Sequence, residues 1–186
     1  MRSSAFVCLI RGINVGGRNV VPMAELRSVC TDLGWTGVQS YIQSGNLILY
    51  ARAAPVTLEA ELERGIERHF GLSVAVIVRR AEEWQTCIES NPFEESSRRE
   101  PSLVMLALSK LPPEADAEGR LRERATSGER IVRVGDALWI HYPGGAGRSK
   151  LSPGLVDRLV GSPVTTRNWR TVLRIGELAQ RALERE

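Results

Sequence analysis

The order of secondary-structure elements that the sequence predicts is the feature that most constrains the fold. Apolar alternation and helical spacing give the order β-α-β-β-α-β over 5–79, and the same order returns over 102–165 before a final helix. We therefore predict an α+β protein with two ferredoxin-like (α/β-plait, βαββαβ) subdomains in tandem, each with an antiparallel sheet and helices on one face. The first subdomain is 1–93, with a trailing short helix. The second is 94–186, with the C-terminal helix.

Local signals set the expected ends of several helices. Thr57 is predicted to cap a helix that ends at Gly71. The polar segment 93–101 predicts a linker, and the spacing of apolar residues predicts a helix over 113–126. A further helix is expected to begin after Ser152.

Composition excludes several classes of protein. Hydrophobic residues make up 42% of the 186 residues and charged residues 25%, which are ordinary values for a globular protein. No apolar run approaches the ~18 residues of a membrane span, and Arg11 and Asn14 interrupt the first apolar run too early for a signal peptide. We expect a cytoplasmic protein without a membrane partner. Three cysteines without a CxxC pair predict buried free thiols, and two histidines without ligand spacing predict no metal; we expect no cofactor either.

Positive charge is concentrated in the C-terminal third of the chain. The formal net charge is only +3. Residues 139–175 contain six basic residues and one acid, a balance of +5, whereas residues 1–93 contain nine of each. This distribution favours an anionic partner for the C-terminal third.

Four loops are candidates for function because of their position after strands. We predict that the first and third strands of each half run parallel, so that 11–19 and 143–150 follow carboxyl ends at equivalent sheet edges. The second and fourth strands would then end at the opposite edge, where 43–46 and 165–168 lie. If a pseudo-twofold axis relates the halves, these loops converge on one cleft.

The first loop is rich in glycine, arginine and asparagine. Glycine permits close backbone approach, and guanidinium groups bind phosphate or carboxylate in a bidentate manner. Its spacing matches neither a P-loop nor the dinucleotide-binding motif. The alternative is a long strand-to-helix connection with glycine turns. The candidate ligand-binding residues of this loop are Arg11, Asn14, Gly16, Gly17, Arg18 and Asn19.

The other loops add further candidates, each with a structural alternative. The segment 144–150 is either an anion site or a solvated surface loop, and 43–46 is either a ligand contact or a plain hairpin turn. Near the final helix, Asn168 either binds an anion or caps the helix. The candidate residues of these segments are Gln43, Ser44, Asn46, Arg148, Ser149, Lys150, Thr166, Arg167 and Asn168.

These same segments resemble the hallmark motifs of a known family of bacterial proteins, DUF1697. The motifs, in chain order, are RGINVGG (11–17), YIQSGN (41–46), NPF (91–93), GRSK (147–150) and TTRNW (165–169). The resemblance covers nearly the whole chain and implies two α/β-plait subdomains. It implies no activity.

Three classes of function are compatible with the sequence. The best supported is a binding protein for an anionic ligand, either a nucleic-acid backbone or a phosphorylated small molecule, through the Gly-rich basic loops. An enzyme acting on a phosphorylated or acyl substrate is the second. For it, Ser149 or Ser44 would be the nucleophile, but neither loop supplies a base. A structural or interaction module is the third, and the oligomeric state is open.

Overall fold

The computed structural model describes residues 3–185, which form eight strands and seven α-helices. The strands are β1 (Ser4–Ile10), β2 (Thr36–Tyr41), β3 (Asn46–Ala51), β4 (Val76–Arg80), β5 (Val104–Ser109), β6 (Arg130–Val134), β7 (Ala137–His141) and β8 (Val164–Asn168). The helices are α1 (Met23–Asp32), α2 (Pro55–Phe70), α3 (Ala81–Glu89), α4 (Glu94–Arg99), α5 (Ala117–Arg124), α6 (Pro153–Val160) and α7 (Trp169–Leu183).

The strands form two four-stranded sheets in which every neighbouring pair is antiparallel. The strand orders are β2-β3-β1-β4 and β6-β7-β5-β8. Each sheet and its two crossover helices follow the order βαββαβ, so the predicted α+β fold of two ferredoxin-like subdomains is confirmed.

The predicted parallel direction of the first and third strands is wrong. In the first sheet, Leu9 of β1 faces Asn46 of β3, and Ser4 faces Ala51, which is an antiparallel register. The helical crossover makes β2 parallel to β1, and the β2–β3 hairpin then reverses the chain. The loops that follow β1 and β2 therefore share one edge of the sheet. In the second sheet, His141 of β7 and Asn168 of β8 both lie beside the start of β5, so the loop after β7 and the start of α7 share an edge. The predicted loop 165–168 belongs to strand β8, and α7 follows it directly.

The chain forms two compact units. Among the described residues, the first comprises 3–86 together with 175–185, and the second comprises Cys87–Arg174. The sequence prediction divided the chain after residue 93 and assigned the whole C-terminal helix to the second half. In the structure, α3 and α7 each run across a division between the units.

The core of the first unit lies between its sheet and helices α1 and α2. Alternate residues of β1 and β3 point into it, and the helices contribute Leu26, Leu58 and Leu62 among others. Gly65 permits the close approach of helices α1 and α2. A Cβ atom at this position would lie 2.8 Å from Cγ1 of Val29. The other face of β1 is also buried, so this strand is apolar at nearly every position.

The core of the second unit lies between its sheet and helices α5 and α6. Leu138 and Ile140 of β7 pack there with Leu121 and Val160 from the helices. Ser152 caps α6 as predicted, because its hydroxyl oxygen accepts a hydrogen bond from the backbone N–H of Leu155.

Several predicted element boundaries are wrong. Helix α2 begins at Pro55, and Ala54, without a side-chain hydrogen bond, takes the capping place predicted for Thr57. The predicted linker 93–101 contains α4. This helix has two i, i+4 ion pairs, Glu94–Arg98 and Glu95–Arg99. The helix predicted over 113–126 is shorter and begins at Ala117. Within the described chain, no helix has the length and apolar character needed to cross a membrane.

Candidate functional site

The glycine-rich loop 11–19 is a small β-hairpin. Val15 and Arg18 pair in an isolated antiparallel bridge, and the backbone N–H of Arg18 donates to the carbonyl oxygen of Val15 at 3.1 Å. Gly16 and Gly17 between them have φ values of 59° and 74°. Two consecutive residues with positive φ are typical of the type I′ turn, which glycine favours. The two glycines therefore serve to turn the chain.

Asn14 ties this hairpin to the rest of the first unit. Its Oδ1 accepts from the backbone N–H of Val21 at 2.8 Å, and its Nδ2 donates to the carbonyl oxygens of Val21 at 2.9 Å and Gln43 at 2.8 Å. Asn19 Nδ2 donates to the carbonyl oxygen of Gly12 at 3.0 Å. The amides predicted to bind a ligand are thus engaged in holding the loop.

The β2–β3 hairpin turn lies beside the first loop, as the corrected topology requires. Asn46 is buried, and its Nδ2 donates to the carbonyl oxygen of Tyr41 and to the hydroxyl of Ser44. A Cβ atom on Gly45 would lie 2.9 Å from Cδ1 of Ile13, so glycine permits the close approach of the two loops. The candidates Gln43, Ser44 and Asn46 are therefore brought together with 11–19.

The joined loops expose three aliphatic side chains, which we call the apolar tip: Val15, Val20 and Ile42. Their exposed fractions are 61%, 68% and 49%. Ile42 has a φ of 49°, which is an outlier for a β-branched residue. Arg18 is also exposed in the hairpin, whereas Arg11 is half-buried at the end of β1. Sequence reasoning selected the polar residues of these loops and missed the apolar ones.

The second glycine-rich segment has a different construction. After β7, the backbone N–H of Gly145 donates to the carbonyl oxygen of Tyr142, and Ala146–Arg148 form one turn of 3-10 helix. The hydroxyl of Ser149 then donates to Oε1 of Glu129 and accepts from the backbone N–H of Leu151 at 3.1 Å. The cationic side chains on either side, Arg148 and Lys150, are exposed.

Glu129 is the carboxylate that sequence reasoning did not place beside Ser149. Burial opposes its ionisation, but hydrogen bonds from Ser149 and from backbone N–H groups outweigh burial and hold the pKa of Glu129 below its ordinary value of 4.5. A carboxylate with a lowered pKa is a weak base, so the pair holds the loop better than it would activate a serine. Burial, with a smaller contribution from Glu129, raises the pKa of the neighbouring Tyr142 to about 12.

The segment before α7 is largely structural. Asn168 Oδ1 accepts from the backbone N–H of Thr171 at 3.0 Å, as a helix-capping residue does. Arg167 is buried, and its Nη1 donates to the hydroxyl of Thr165 at 2.7 Å and to the carbonyl oxygen of Thr166 at 2.8 Å. Burial lowers the pKa of Arg167 to about 10. Only Thr166 of this candidate group is exposed.

A cleft that the sequence did not reveal lies at the other end of the first sheet, where β3 ends. Its volume is about 790 Å³. Among residues 3–185, neither Arg52 nor Arg185, both of which line it, makes an ion pair or a side-chain hydrogen bond. The described lining residues carry no negative charge, and they are Ser3, Ser4, Thr36, Gly37, Gln39, Tyr50, Arg52 and Arg185.

Tyr50 forms a fixed wall of this cleft. Its hydroxyl donates to the carbonyl oxygen of Ala182 at 2.9 Å. Its ring packs so closely on Gly37 that a Cβ atom there would lie 2.5 Å from Cδ2 of Tyr50. An adjoining cavity of about 450 Å³ shares Tyr50 and Arg52 but also contains Glu61. The absence of Asp and Glu from residues 33–58 could have indicated that Arg52 is an anion-binding candidate. Nothing in the sequence, however, places Arg52 near Arg185.

The fold and motifs agree with the comparisons to known proteins. The pattern of a family described as protein of unknown function (DUF1697) matches residues 4–139. The chain belongs to the DUF1697 family. The matched range of this DUF1697 protein includes the first hairpin and the β2–β3 turn, and it ends before the second glycine-rich segment.

A solved structure resembles this DUF1697 protein over nearly its whole length. The conserved bacterial protein SP0830 from Streptococcus pneumoniae is similar over 96% of this chain and 99% of that chain, with a TM-score of 0.74 and 24% sequence identity. Likeness at this identity shows the fold alone. No curated protein matches the chain. Within residues 3–185, no group of three or more His, Cys, Asp or Glu side chains is arranged to hold a metal ion.

Proposed function

We propose that the protein binds a small phosphorylated ligand in the cleft lined by Arg52 and Arg185. The observation that carries this proposal is the pair of guanidinium groups that have no ion-pair partner in the described chain and face a cavity whose described lining has no acid. Guanidinium groups match phosphate in geometry and donate two parallel hydrogen bonds to it.

The remaining lining supports a small ligand. A cavity of about 790 Å³ falls within the range that small-molecule sites occupy. Thr36 and Gln39 add a hydroxyl and an amide. Tyr50 adds an aromatic ring that is fixed by the hydrogen bond of its hydroxyl and by its packing on Gly37. The proposal keeps the anionic ligand that we expected from the sequence but moves its site away from the glycine-rich loops, whose asparagine amides are already engaged.

Two other predictions from the sequence, an enzymatic activity and a cytoplasmic location, bear on this proposal. An enzyme would use Ser149, but the ionised Glu129 beside it is a weak base, so we propose binding without a reaction. A cytoplasmic location remains part of the proposal, and it is supported by the free thiols of Cys8, Cys30 and Cys87, because reducing compartments keep thiols unpaired.

Calorimetric titration with inorganic phosphate, pyrophosphate, nucleotides, sugar phosphates and short RNA tests the proposal. The variants are Arg52→Gln and Arg185→Gln, with Arg18→Gln as the matched control that removes an exposed guanidinium at the other end of the same sheet. A charge-assisted hydrogen bond contributes about 1.5–3 kcal/mol, so each cleft variant is expected to raise the Kd roughly 10- to 100-fold.

The control variant should leave the Kd unchanged. Equal effects of Arg18→Gln and Arg52→Gln would refute the cleft, and loss of binding only in Arg18→Gln or Lys150→Gln would return the site to the glycine-rich loops. If RNA is the ligand, affinity falls steeply as salt rises, because counterions are released on binding.

A further inference from the structure

The apolar tip is a surface that the proposed ligand cleft does not use. Val15 lies on the first hairpin, Val20 directly follows it, and Ile42 lies on the β2–β3 turn. The two loops are joined by the hydrogen bond from Asn14 Nδ2 to the carbonyl oxygen of Gln43. Single exposed aliphatic side chains are common on protein surfaces, but three on two joined loops, with an exposed arginine beside them, favour an interaction surface.

Ile42 occupies its position at a conformational cost. A β-branched side chain at a φ of 49° is strained, and Asn or Gly would adopt the same backbone more easily. The side chain also remains 49% exposed, so about half of its surface gains nothing from burial. Neither the turn nor the core of the first unit requires isoleucine here, which favours a role for this side chain outside the folded chain.

The two loops of the tip carry positive and no negative side-chain charge, because 11–20 and 41–46 contain Arg11 and Arg18 and no Asp or Glu. The nearest acid along the chain, Glu25 in the first turn of α1, has its Oε2 3.2 Å from Nε2 of His69. Arg18 is exposed in the same hairpin, and it makes no ion pair within the described chain. A partner must therefore accept aliphatic side chains and carry negative charge beside the apolar region.

We propose that the apolar tip docks on the surface of a membrane that contains anionic lipids. Headgroups attract the arginine while Val15, Val20 and Ile42 enter the boundary between headgroups and acyl chains. A nucleic-acid backbone would satisfy the arginine but leave the three aliphatic side chains in water. We expected no membrane partner because no segment is long enough to span a bilayer; surface docking needs no span, and the proposal revises that expectation.

Vesicle co-sedimentation of the full chain tests this docking. We expect little binding to phosphatidylcholine alone and reversible binding, at lipid concentrations on the order of millimolar, when phosphatidylserine is added. Binding should fall as salt rises from about 0.05 to 0.5 M, because the attraction between exposed charges is screened. Equal binding to both vesicle types, or none to either, would overturn the proposal.

Three variants separate the tip from the rest of the surface. Val15→Ser and Ile42→Asn should each weaken vesicle binding about five- to tenfold, through loss of buried apolar area. Val56→Ser is the matched control: Val56 is 69% exposed, but it lies in the first turn of α2, at the other end of β3. It should leave vesicle binding unchanged.

Ile42→Asn also excludes misfolding as the cause of lost binding. Because Asn tolerates the left-handed conformation, this variant should raise Tm by about 2–4 °C while it weakens docking. Vesicle binding that survives both tip variants, or that Val56→Ser weakens equally, would refute the lipid surface. Tip variants that weaken binding to a short DNA duplex, with no vesicle binding in the parent protein, would replace it with nucleic acid.

Discussion

The two glycine-rich loops have similar composition and are held in different ways. In the first, 11–19, asparagine amides fix a hairpin in which the glycines have positive φ. In the second, 144–150, a serine hydroxyl joins a carboxylate 20 residues earlier in the chain, and a turn of 3-10 helix replaces the hairpin. Glycine content marks both as loops, but the polar side chains decide what each loop leaves exposed.

The largest expected effect is at Asn14. Asn14→Ala removes three hydrogen bonds and places alanine at a φ of 54°. We expect a loss of about 2–4 kcal/mol in the free energy of unfolding, measured by urea denaturation. Asn14→Gly loses the same bonds but tolerates the backbone, so it should be about 1 kcal/mol less damaging. If Asn14→Ala lowered the free energy of unfolding by less than Ser149→Ala does, the contrast drawn between the two loops would be wrong.

Ser149→Ala should have the second largest effect. It removes the donation to Glu129 and the acceptor for the backbone N–H of Leu151, and it leaves a half-buried carboxylate without that donor. The expected loss is about 1–2 kcal/mol by the same measurement. If Ser149→Ala were neutral, the serine would not hold the second loop, and the difference between the loops would rest on glycine alone.

Substitution of glycine by alanine is expected to change stability differently in the two loops. Gly17 has a φ of 74°, so Gly17→Ala is expected to cost about 1–2 kcal/mol. A Cβ atom on Gly147 meets nothing within 4 Å, and its φ is not in the left-handed region. Gly147→Ala should therefore be neutral or stabilise by about 0.4–1 kcal/mol, through lower entropy of the unfolded chain. Equal costs at both positions would contradict the assigned backbones.

The smallest expected effect is a difference in pH dependence. The folded-state pKa of Glu129 is lowered, so its contribution is complete above the ordinary value of 4.5 and is lost as pH falls through the lower folded value. The Tm difference between the parent protein and Glu129→Gln should therefore shrink in acid. The amides of Asn14 do not titrate, so the effect of Asn14→Ala should stay constant over the same range. A constant Glu129→Gln difference would show that the carboxylate is not coupled to folding.

The element order could be predicted from the sequence because it depends on local periodicity. The edges that the loops occupy could also have been derived, since a hairpin between β2 and β3 already reverses the chain. Helix α4 was missed although its Glu and Arg residues stand four apart. Other features depend on contacts between distant residues: Glu129 beside Ser149, Tyr50 against Gly37, and Arg185 in the same cleft as Arg52. No local pattern encodes these contacts.

The first unit consists of two segments that are far apart in the sequence, and this has a consequence during protein synthesis. Tyr50 donates to the carbonyl oxygen of Ala182, 132 residues later in the chain. At about 5–20 residues per second, a ribosome needs roughly 7 to 26 s to make the acceptor after the donor. The continuous second unit, Cys87–Arg174, is translated entirely within that interval. The Tyr50 hydroxyl of the nascent chain therefore lacks this acceptor until the last helix has been made.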